Sequence, residues 1–543
     1  MQGEFDYVIV GGGAAGCVLA ARLSEDPSVR VALLEAGPAD RSPLLRIPGA
    51  NVVTGADPRL QWNYQGEAEQ YLNGRTLPWA QGKVLGGSSS INGMMVLRGH
   101  HRDYDGWRAA GCVGWGADDV LPYFRKAETN ERGAGPLHGG HGPLHVSRGR
   151  STAPICEIFL QGAAQAGHAL VDDLSAAPEA GFGHIDMSIR DGVRSSTSSA
   201  YLRPVRRRAN LTVMTGALAT RVLVEHGRAT GVEYLADGQR HVTRTCKEVI
   251  LAGGAVNSPQ LLMLSGIGPA DELSALGLRV LVDAPEVGRN LQNHPSYRLM
   301  YTCAKPVTAY RYVRPLRALG VGVEYLLARR GPLSRGLFPT AGFIRSDETG
   351  TADGPPDIQV CMAPALIIRR GPGAMGVLPQ RHGFTLLINQ GTPYSRGEIR
   401  LRSADPTVAP RIDGRYFSDP RDLGVVVRGI QKVRNMMRAP ALSACIEGEI
   451  QPRGPIGGIA DLEADIRATC GSHYHPAGTC RMGADERAVL DPELRVRGIE
   501  GLRVIDASVM PTLVGASTFA TTVMIAEKGA DLIKRGMPAH IAN

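Results

Sequence analysis

The sequence contains few aromatic residues and no long apolar segment. Phe, Trp and Tyr together make up 5% of its 543 residues. No run approaches the roughly 20 consecutive apolar residues that a membrane-spanning helix needs. The first residues, MQGEFDYVIVGGG, carry two acids where a signal peptide would carry positive charge. These absences predict a soluble, cytoplasmic protein without a membrane span.

The sequence also lacks a strong charge and a cysteine framework. Sixty basic residues stand against 52 acidic ones, and this mild excess predicts no nucleic-acid partner. Nine cysteines at irregular positions do not suggest paired disulfides. The 68 glycines and 36 prolines follow no repeat and indicate many tight turns. A chain of this length exceeds what one core usually supports, so we expect two or three lobes.

A glycine-rich turn follows the first apolar segment. The run FDYVIV predicts a buried strand, and GGGAAG follows it. Residues Cys17–Ser24 then have helical composition, and a second strand ends at Glu35. In this setting G-x-G-x-x-G is the dinucleotide-binding fingerprint. Gly11 and Gly13 would let a pyrophosphate approach the backbone, and Gly16 would let the helix pack closely. The helix amino terminus favours phosphates, and Glu35 would accept hydrogen bonds from ribose hydroxyls. The motif alone leaves NAD and FAD open.

Two further loops of small residues point to a large cofactor. GKVLGGSSSING occupies residues 82–93, and a strand ending in GGAVNSP occupies residues 249–259. Loops of this composition can approach a ligand closely and offer backbone N–H donors to it. Each loop alone is compatible with an ordinary packing turn. Three of them in one chain predict a cofactor that is bound along its length.

The carboxyl-terminal stretch SHYHPAGTCRMG leaves two chemistries open. Cys470, His473, His475 and Cys480 are residue types that bind zinc, so a metal site is one reading. A neutral histidine is also a good general base near neutral pH, so a metal-free base is the other. The residues themselves do not decide between the two.

Taken together, five stretches resemble the glucose–methanol–choline (GMC) family of flavin oxidoreductases. They are GGGAAG with Glu35, GKVLGGSSSING, GGAVNSPQLLMLSGIG, HYHPAGTCRMG, and GLRVIDASVMPTLVG with the later TTVMIAEKGADLI. The resemblance extends over about residues 6–534. It implies an α/β fold, α+β overall, with a Rossmann-type FAD-binding domain and a substrate-binding domain that contains an antiparallel sheet. It implies FAD as the cofactor.

The resemblance predicts a discontinuous domain arrangement. The FAD-binding domain is expected to comprise residues 1–45, 80–110, 190–300 and 480–543. The lid and substrate-binding domain is expected to comprise residues 46–79, 111–189 and 300–465.

The resemblance also implies a set of cofactor-binding residues. In order along the chain they are Gly11, Gly13, Gly16, Glu35, Gly87, Ser88, Asn92, Asp506 and Ala507. The first three would face the pyrophosphate, and Glu35 would bind the adenosine ribose. The next three would lie nearer the flavin, and the last two near the phosphates and ribityl chain. Some relatives attach FAD covalently through a histidine that aligns with Ile91, so this chain is predicted to bind FAD non-covalently.

In the family, the histidine that precedes proline is the active-site base. That residue is His475 here, so the metal reading is disfavoured and no metal is predicted. His473 is expected to be a wall residue, and His294, in a Gly- and Pro-rich connection, a structural one. Ser517 stands where relatives have a second catalytic His or Asn. Its hydroxyl can donate a hydrogen bond, but it is not a general base unaided.

The predicted function is FAD-dependent oxidation of a primary alcohol to the aldehyde. Hydride transfer to flavin N5 would be assisted by His475 as general base, and oxygen or another acceptor would reoxidise the flavin. Three alternatives are a lyase on the same scaffold, a catalytically silent FAD-binding protein, and a metalloenzyme that uses the Cys/His cluster. Substrate identity, electron acceptor and oligomeric state are not predicted.

Overall fold

Two seven-stranded sheets organise the molecule. The computed structural model describes residues 4–175, 180–347, 354–369, 375–377, 381–452 and 456–536. The predicted domain ranges that begin at residue 1 and end at residue 543 therefore extend beyond the described residues. The limits of the predicted domains stay a prediction.

The first sheet contains the dinucleotide fingerprint. Its strands, in spatial order, are Leu211–Thr215, Val31–Glu35, Phe5–Val10, Gln239–Leu251, Arg228–Ala236 and Leu218–Glu225, and Leu502–Val504 pairs with Gln239–Leu251. Phe5–Val10 is parallel to both of its neighbours, and such strands are buried on both faces. Val8 and Ile9 are accordingly fully buried. The sheet therefore combines a parallel half with an antiparallel extension, Leu218–Leu251.

The helix after the fingerprint turn begins earlier than its composition predicts. It spans Ala14–Leu23, because the three small residues after Gly13 enter the first turn. It packs beside the long helix Thr518–Arg535 from the other end of the chain. Two helices about 500 residues apart in the sequence therefore pack against each other.

The second sheet is antiparallel throughout, as the predicted fold class requires. Its strands, in spatial order, are Ile446–Gln451, Pro295–Cys303, Gly383–Gln390, Ile358–Ala363, Thr340–Ile344 and Gly181–His184, and Gly471–Ser472 pairs with Pro295–Cys303. The strand Gly383–Gln390 is buried along its whole length. The helix Pro420–Met436 packs on it.

Shorter elements connect the two sheets. The remaining helices are Asn51–Thr54, His101–Ala109, Ala117–Ala127, Ile155–Gln165, Arg203–Val205, Gly254–Leu264, Ala270–Ala275, Pro315–Ala328, Pro440–Ser443 and Ile459–Thr469, with a π-helical turn at Ser198–Leu202. Short strand pairs involve Tyr64–Gln65, Pro78–Trp79, Glu128–Asn130, Leu144–Val146, Ile189–Arg190, Val193–Arg194, Ile267–Gly268, Val282–Asp283, Ile367–Arg369, Met375–Val377, Glu398–Arg400 and Arg411–Asp413. None of the helices among the described residues combines the length and apolar character needed to cross a bilayer.

One strand pairing positions the functional site. Pro295 is opposite Ser472, and Ser296 is opposite Gly471. This antiparallel contact places the residue before Pro295 beside the residues after Ser472. The two segments are about 180 positions apart in the sequence, so only the fold brings them together.

Candidate active site

A continuous cleft runs between the two sheets. One end is a cavity beside Glu35, and the other is a cavity of about 280 Å³, partly open to solvent, that reaches His475. The residues that line both cavities are Gly13, Trp62, Gly82, Gly87, Gly253 and Asn257. The shared lining makes the cleft long enough for an extended ligand.

The fingerprint glycines have different roles. Gly11 has φ +102°, and a Cβ there would lie 2.5 Å from the carbonyl oxygen of Ala252. Gly13 lines the cleft, and a Cβ there would meet no atom closer than 3.9 Å, so a side chain would occupy the ligand space. A Cβ at Gly16 would lie 1.8 Å from the Gly11 carbonyl oxygen. Gly16 therefore permits close packing of helix and turn, and it is not part of the cleft lining.

Glu35 ends its strand with the carboxylate at the cleft. Its two oxygens accept hydrogen bonds from the backbone N–H groups of Gly12, at 2.8 Å, and Gly37, at 2.7 Å. Burial raises the pKa of Glu35 to about 7, against these two hydrogen bonds and the charge of Lys83, which lower it. Each carboxylate oxygen has a second lone pair, so the group can still accept hydrogen bonds from a ligand's hydroxyls.

The second predicted loop forms the middle of the cleft. Gly87, Ser88 and Asn92 all line it. Gly87 has φ +52°, a left-handed conformation that favours glycine. The Ser88 hydroxyl accepts a hydrogen bond from the N–H of Gly82 at 3.1 Å. The structure therefore brings these three predicted residues together on one wall.

Arg194 supports this loop and was not identified from the sequence. Its Nη1 donates 2.8 Å hydrogen bonds to both the backbone carbonyl and Oδ1 of Asn92. Burial lowers the pKa of Arg194 to about 9. No local sequence signal marks such a residue, because its partner lies 102 positions away.

Asp506 and Ala507 divide their predicted role. Ala507 lines the cleft. The Asp506 carboxylate is buried and accepts hydrogen bonds from the N–H of Gly254, at 2.8 Å, and the Ser258 hydroxyl, at 2.6 Å. Among the described lining residues Asp506 is absent. Asp506 therefore anchors the third glycine-rich loop, and Ala507 is the residue at the ligand space.

A network of polar contacts fixes the loop that contains His473 and His475. The Asn293 side chain donates to the Ser472 hydroxyl at 2.8 Å and accepts from the N–H of His475 at 2.8 Å. Tyr474, at φ +64°, turns the backbone between the two histidines. His473 and His475 both line the large cavity as a result.

His294 contacts His475 directly, so the purely structural interpretation of His294 is incomplete. The Nδ1 atoms of the two rings lie 2.9 Å apart, and Nε2 of His294 lies 3.0 Å from the carbonyl oxygen of Val514. A carbonyl oxygen only accepts, so Nε2 of His294 carries the proton, and Nδ1 of a neutral His294 is an acceptor. His475 must then donate from Nδ1. This arrangement leaves Nε2 of His475 without a proton.

The three clustered histidines are neutral near physiological pH. Burial lowers the pKa of His294 to about 4 and that of His473 to about 3. Burial, with smaller contributions from the two neighbouring histidines, lowers the pKa of His475 well below its ordinary value. The His475 ring is therefore in the form that accepts a proton.

Three buried polar atoms at the cavity have no hydrogen-bond partner among the described residues. They are the Ser517 hydroxyl, Nδ1 of His473 and Oδ1 of Asn51. All three residues line the cavity, and Ser517 occupies the N-cap position of the helix Thr518–Arg535 without a side-chain hydrogen bond to it. Buried polar atoms are normally satisfied, so these three indicate a ligand that completes their hydrogen bonding.

The structure does not assemble the four-residue Cys/His site. Among the described residues, the histidines 294, 473 and 475 are the group whose ligand atoms lie within 4.8 Å of one another, and neither cysteine belongs to it. Burial raises the pKa of the Cys470 thiol to about 12 and that of Cys480 well above its ordinary value. The hydrogen bonds of His294 already account for the closest contact in the cluster.

One signal could have identified His294. Asn293-His294-Pro295 repeats the His-Pro pair of His475-Pro476, and the two segments are joined by the pairings of Pro295 with Ser472 and of Gln292 with Ala477. Such a repeat becomes informative only once the pairing is known.

Comparison with known proteins covers nearly the whole chain. Family models described as GMC oxidoreductase match residues 5–296 and 393–526. The chain is 43% identical to the mitochondrial choline dehydrogenase of Homo sapiens over 99% of this chain and 90% of that protein. It is 41% identical to the alcohol dehydrogenase [acceptor] of Pseudomonas putida over 98% of this chain and 96% of that protein.

A solved structure shows the same architecture. The pyridoxine 4-oxidase from Mesorbium loti superposes with a TM-score of 0.88 at 32% identity. The alignment covers 98% of this chain and 100% of that one. The similarity therefore includes both sheets and the cleft between them.

Proposed function

The chain belongs to the GMC oxidoreductase family, and from that premise we propose that it oxidises a primary alcohol with non-covalent FAD and with His475 as the base. The observation that carries the proposal is the hydrogen-bonded pair of His294 and His475 at the wall of the cavity. The pair presents a neutral, unprotonated nitrogen where an alcohol can bind.

The residues of the cleft fit FAD. Glu35 and the fingerprint turn lie at one end of it, and His475 lies at the other. The open space at Gly13 and the unpartnered atoms at the far end are the features that a long dinucleotide would fill. Ile91 lines the cavity with an aliphatic side chain, which cannot form the covalent bond made by a histidine. When bound, FAD supplies the hydride acceptor for the carbinol carbon.

His475 removes the hydroxyl proton of the substrate. Nε2 accepts that proton while Nδ1 keeps its hydrogen bond to His294. The resulting imidazolium is held in orientation, because His294 is in turn fixed by the carbonyl of Val514. General-base assistance of this kind contributes roughly 10²- to 10⁴-fold.

Ser517 contributes a weaker interaction. Its hydroxyl has no partner among the described residues and can donate to the substrate oxygen as that oxygen becomes negative. The 18-residue helix that starts at Thr518 adds the positive end of its dipole at the same place. These groups stabilise developing charge and do not remove a proton.

The cavity lining favours a neutral or anionic alcohol over a quaternary ammonium alcohol. No Asp or Glu is among the described residues that line the large cavity, whereas Arg298 is. A cavity lined by an arginine and by no carboxylate offers no counter-charge to a cationic substrate. Choline, named for one relative, is therefore a weaker candidate than a neutral or carboxylate-bearing alcohol.

An anaerobic reduction experiment tests the proposal. Purified yellow protein is mixed with choline, neutral primary alcohols and hydroxy acids while the oxidised-flavin absorbance is followed. We expect at least one neutral or anionic primary alcohol to bleach the band faster than choline does. Admission of air then distinguishes rapid reoxidation by oxygen from dependence on another acceptor.

Two results would contradict the proposal. Failure of every alcohol to bleach protein that carries FAD would favour the lyase or the catalytically silent alternative. Fastest bleaching by choline would refute the substrate preference while leaving alcohol oxidation intact. The cytoplasmic location stays a prediction that this experiment does not address.

A further inference from the structure

The helix Pro315–Ala328 turns an apolar face to solvent. Its exposed large apolar residues have between 46% and 88% of their surface accessible. They are Leu316, Leu319, Val323, Leu326 and Leu327. Single exposed leucines are common, but soluble monomers rarely expose a contiguous apolar patch on one element without a partner for it.

The exposed residues form one stripe. Their spacing of i, i+3, i+7, i+10 and i+11 places them within about 100° of the helix circumference. Tyr325 lies on the opposite side, where it is buried and its hydroxyl donates to the carbonyl of Gly192 at 3.1 Å. The protein therefore holds this helix by its tyrosine side and leaves the leucine side uncovered.

The charges around the stripe are almost all positive. Arg311, Arg314, Arg317, Arg329 and Arg330 precede, occupy or follow the helix, and Glu324 is its one acid. None of these five arginines takes part in an ion pair with another of the described residues. Three of them lie near the amino end, where the helix dipole disfavours cations. The stability of the helix therefore does not explain why these three arginines lie there.

The stripe lies close to the substrate cavity in the fold. Immediately after the helix, the turn Pro332–Ser334 packs on the turn Pro48–Ala50. Asn51, which directly follows the turn Pro48–Ala50, and Phe338, four residues after the turn Pro332–Ser334, line the large cavity. Val53, two residues after Asn51, is a further exposed apolar residue. The apolar surface is thus attached to the segments that cover the cavity.

We propose that this helix docks the protein on the surface of a membrane that contains anionic lipids. Apolar residues on one face of a surface helix can enter the boundary between headgroups and acyl chains, and flanking arginines can bind the phosphates. Basic residues near an anionic membrane surface strengthen its binding. Charge complementarity favours this occupant over a second copy of the chain, because two copies would bring their arginines together.

Vesicle flotation tests the docking. The full-length flavoprotein is floated with vesicles of phosphatidylcholine alone and of phosphatidylcholine with phosphatidylglycerol. We expect flotation with the anionic vesicles, a decrease in 0.5 M salt, and little flotation with the neutral ones. Leu319→Gln with Leu326→Gln should lower the partition coefficient at least tenfold, and Arg314→Gln with Arg317→Gln should lower it selectively on anionic vesicles.

Matched controls separate docking from damage to the fold. Val113→Gln with Leu170→Gln removes two exposed apolar side chains elsewhere and should float like the wild type. All variants should keep their flavin absorbance and their turnover of a soluble alcohol. Equal flotation of the wild type and the leucine variant would overturn the proposal. So would a wild type that fails to float but sediments as a dimer, with a monomeric leucine variant.

Discussion

The two ends of the cleft satisfy their polar groups in opposite ways. At the end beside Glu35, the carboxylate already accepts two backbone hydrogen bonds in the protein alone. At the end beside His475, the Ser517 hydroxyl and Nδ1 of His473 are buried without a partner among the described residues. The first end is organised before a ligand arrives. The second is organised around one, as expected for the place where chemistry occurs.

The largest effect is expected when the proposed base, His475, is removed. We expect His475→Ala to lower kcat by roughly 10²- to 10⁴-fold, because proton removal then depends on water. FAD content should remain, since Glu35, the fingerprint turn and the loop at residues 82–93 line the cleft independently of His475. Flavin absorbance and steady-state turnover measure the two quantities. Turnover near that of the wild type would contradict the assignment of the base.

The same assignment fixes the pH dependence. The pKa of His475 is lowered well below its ordinary value by burial. The unprotonated form, which can accept a proton, therefore predominates at and above neutral pH. We expect kcat/KM to be flat above about pH 7 and to fall only in acid, below the unperturbed histidine value of about 6.5. A rise of kcat/KM between pH 7 and 9 would assign the base to another group.

The next test concerns Glu35, at the end of the cleft whose polar groups are already hydrogen-bonded. Glu35→Gln should weaken FAD binding by about 10- to 100-fold, because a hydrogen bond to a charged group contributes about 1.5–3 kcal/mol. Glutamine has an NH2 group in place of one carboxylate oxygen, so its two terminal atoms cannot both accept the hydrogen bonds that the N–H groups of Gly12 and Gly37 donate. Dilution of the holoprotein with detection of free-flavin fluorescence gives the affinity. Turnover at saturating FAD should change little, and an equal loss of kcat would mean that the two ends are not separable.

A smaller effect is expected for the residue that orients the base. His294→Leu removes the acceptor for Nδ1–H of His475, so the ring can adopt the other tautomer, and we expect kcat to fall about tenfold. His294→Gln offers both an acceptor and a donor and should recover part of the loss. A purely structural role would lower FAD content and thermal stability in both variants without this difference in kcat.

The smallest effect is expected at Ser517. Ser517→Ala should lower kcat several-fold, because one neutral hydrogen bond to the substrate contributes about 1 kcal/mol. Steady-state kinetics with the best alcohol from the reduction experiment measures the loss. A decrease as large as that of His475→Ala would show that the serine is part of the proton-transfer step.

The same contrast explains what could be read from the sequence. The fingerprint turn and Glu35 depend on neighbours within 35 residues, so their pattern predicted their place on the parallel strands. His475 was identified through the family resemblance alone, because its spacing also suited a metal site. His294 and Arg194 were missed or undervalued because their partners lie 181 and 102 positions away.

Helix and strand limits show the same distance dependence. The first strand was placed correctly at Phe5–Val10, since a β-branched run between a polar start and glycines defines both ends. The following helix starts at Ala14 instead of at Cys17, because glycine and alanine composition does not reveal which residue begins the helix. The exposed stripe of Pro315–Ala328 has readable periodicity. Its sequence could not show that the stripe faces outward, because that depends on which side Tyr325 anchors.

The long-range strand pairing has a consequence for synthesis of the protein. One of the two sheet neighbours of Phe5–Val10, the strand Gln239–Leu251, is made about 240 residues after it. At roughly 5–20 residues per second, the ribosome needs about 10–50 s to deliver it. The histidine pair is completed later still, once Gly471–Ser472 can join Pro295–Cys303. A nascent chain thus contains its nucleotide fingerprint long before it contains its base, so catalytic competence emerges well after the capacity to recognise a nucleotide.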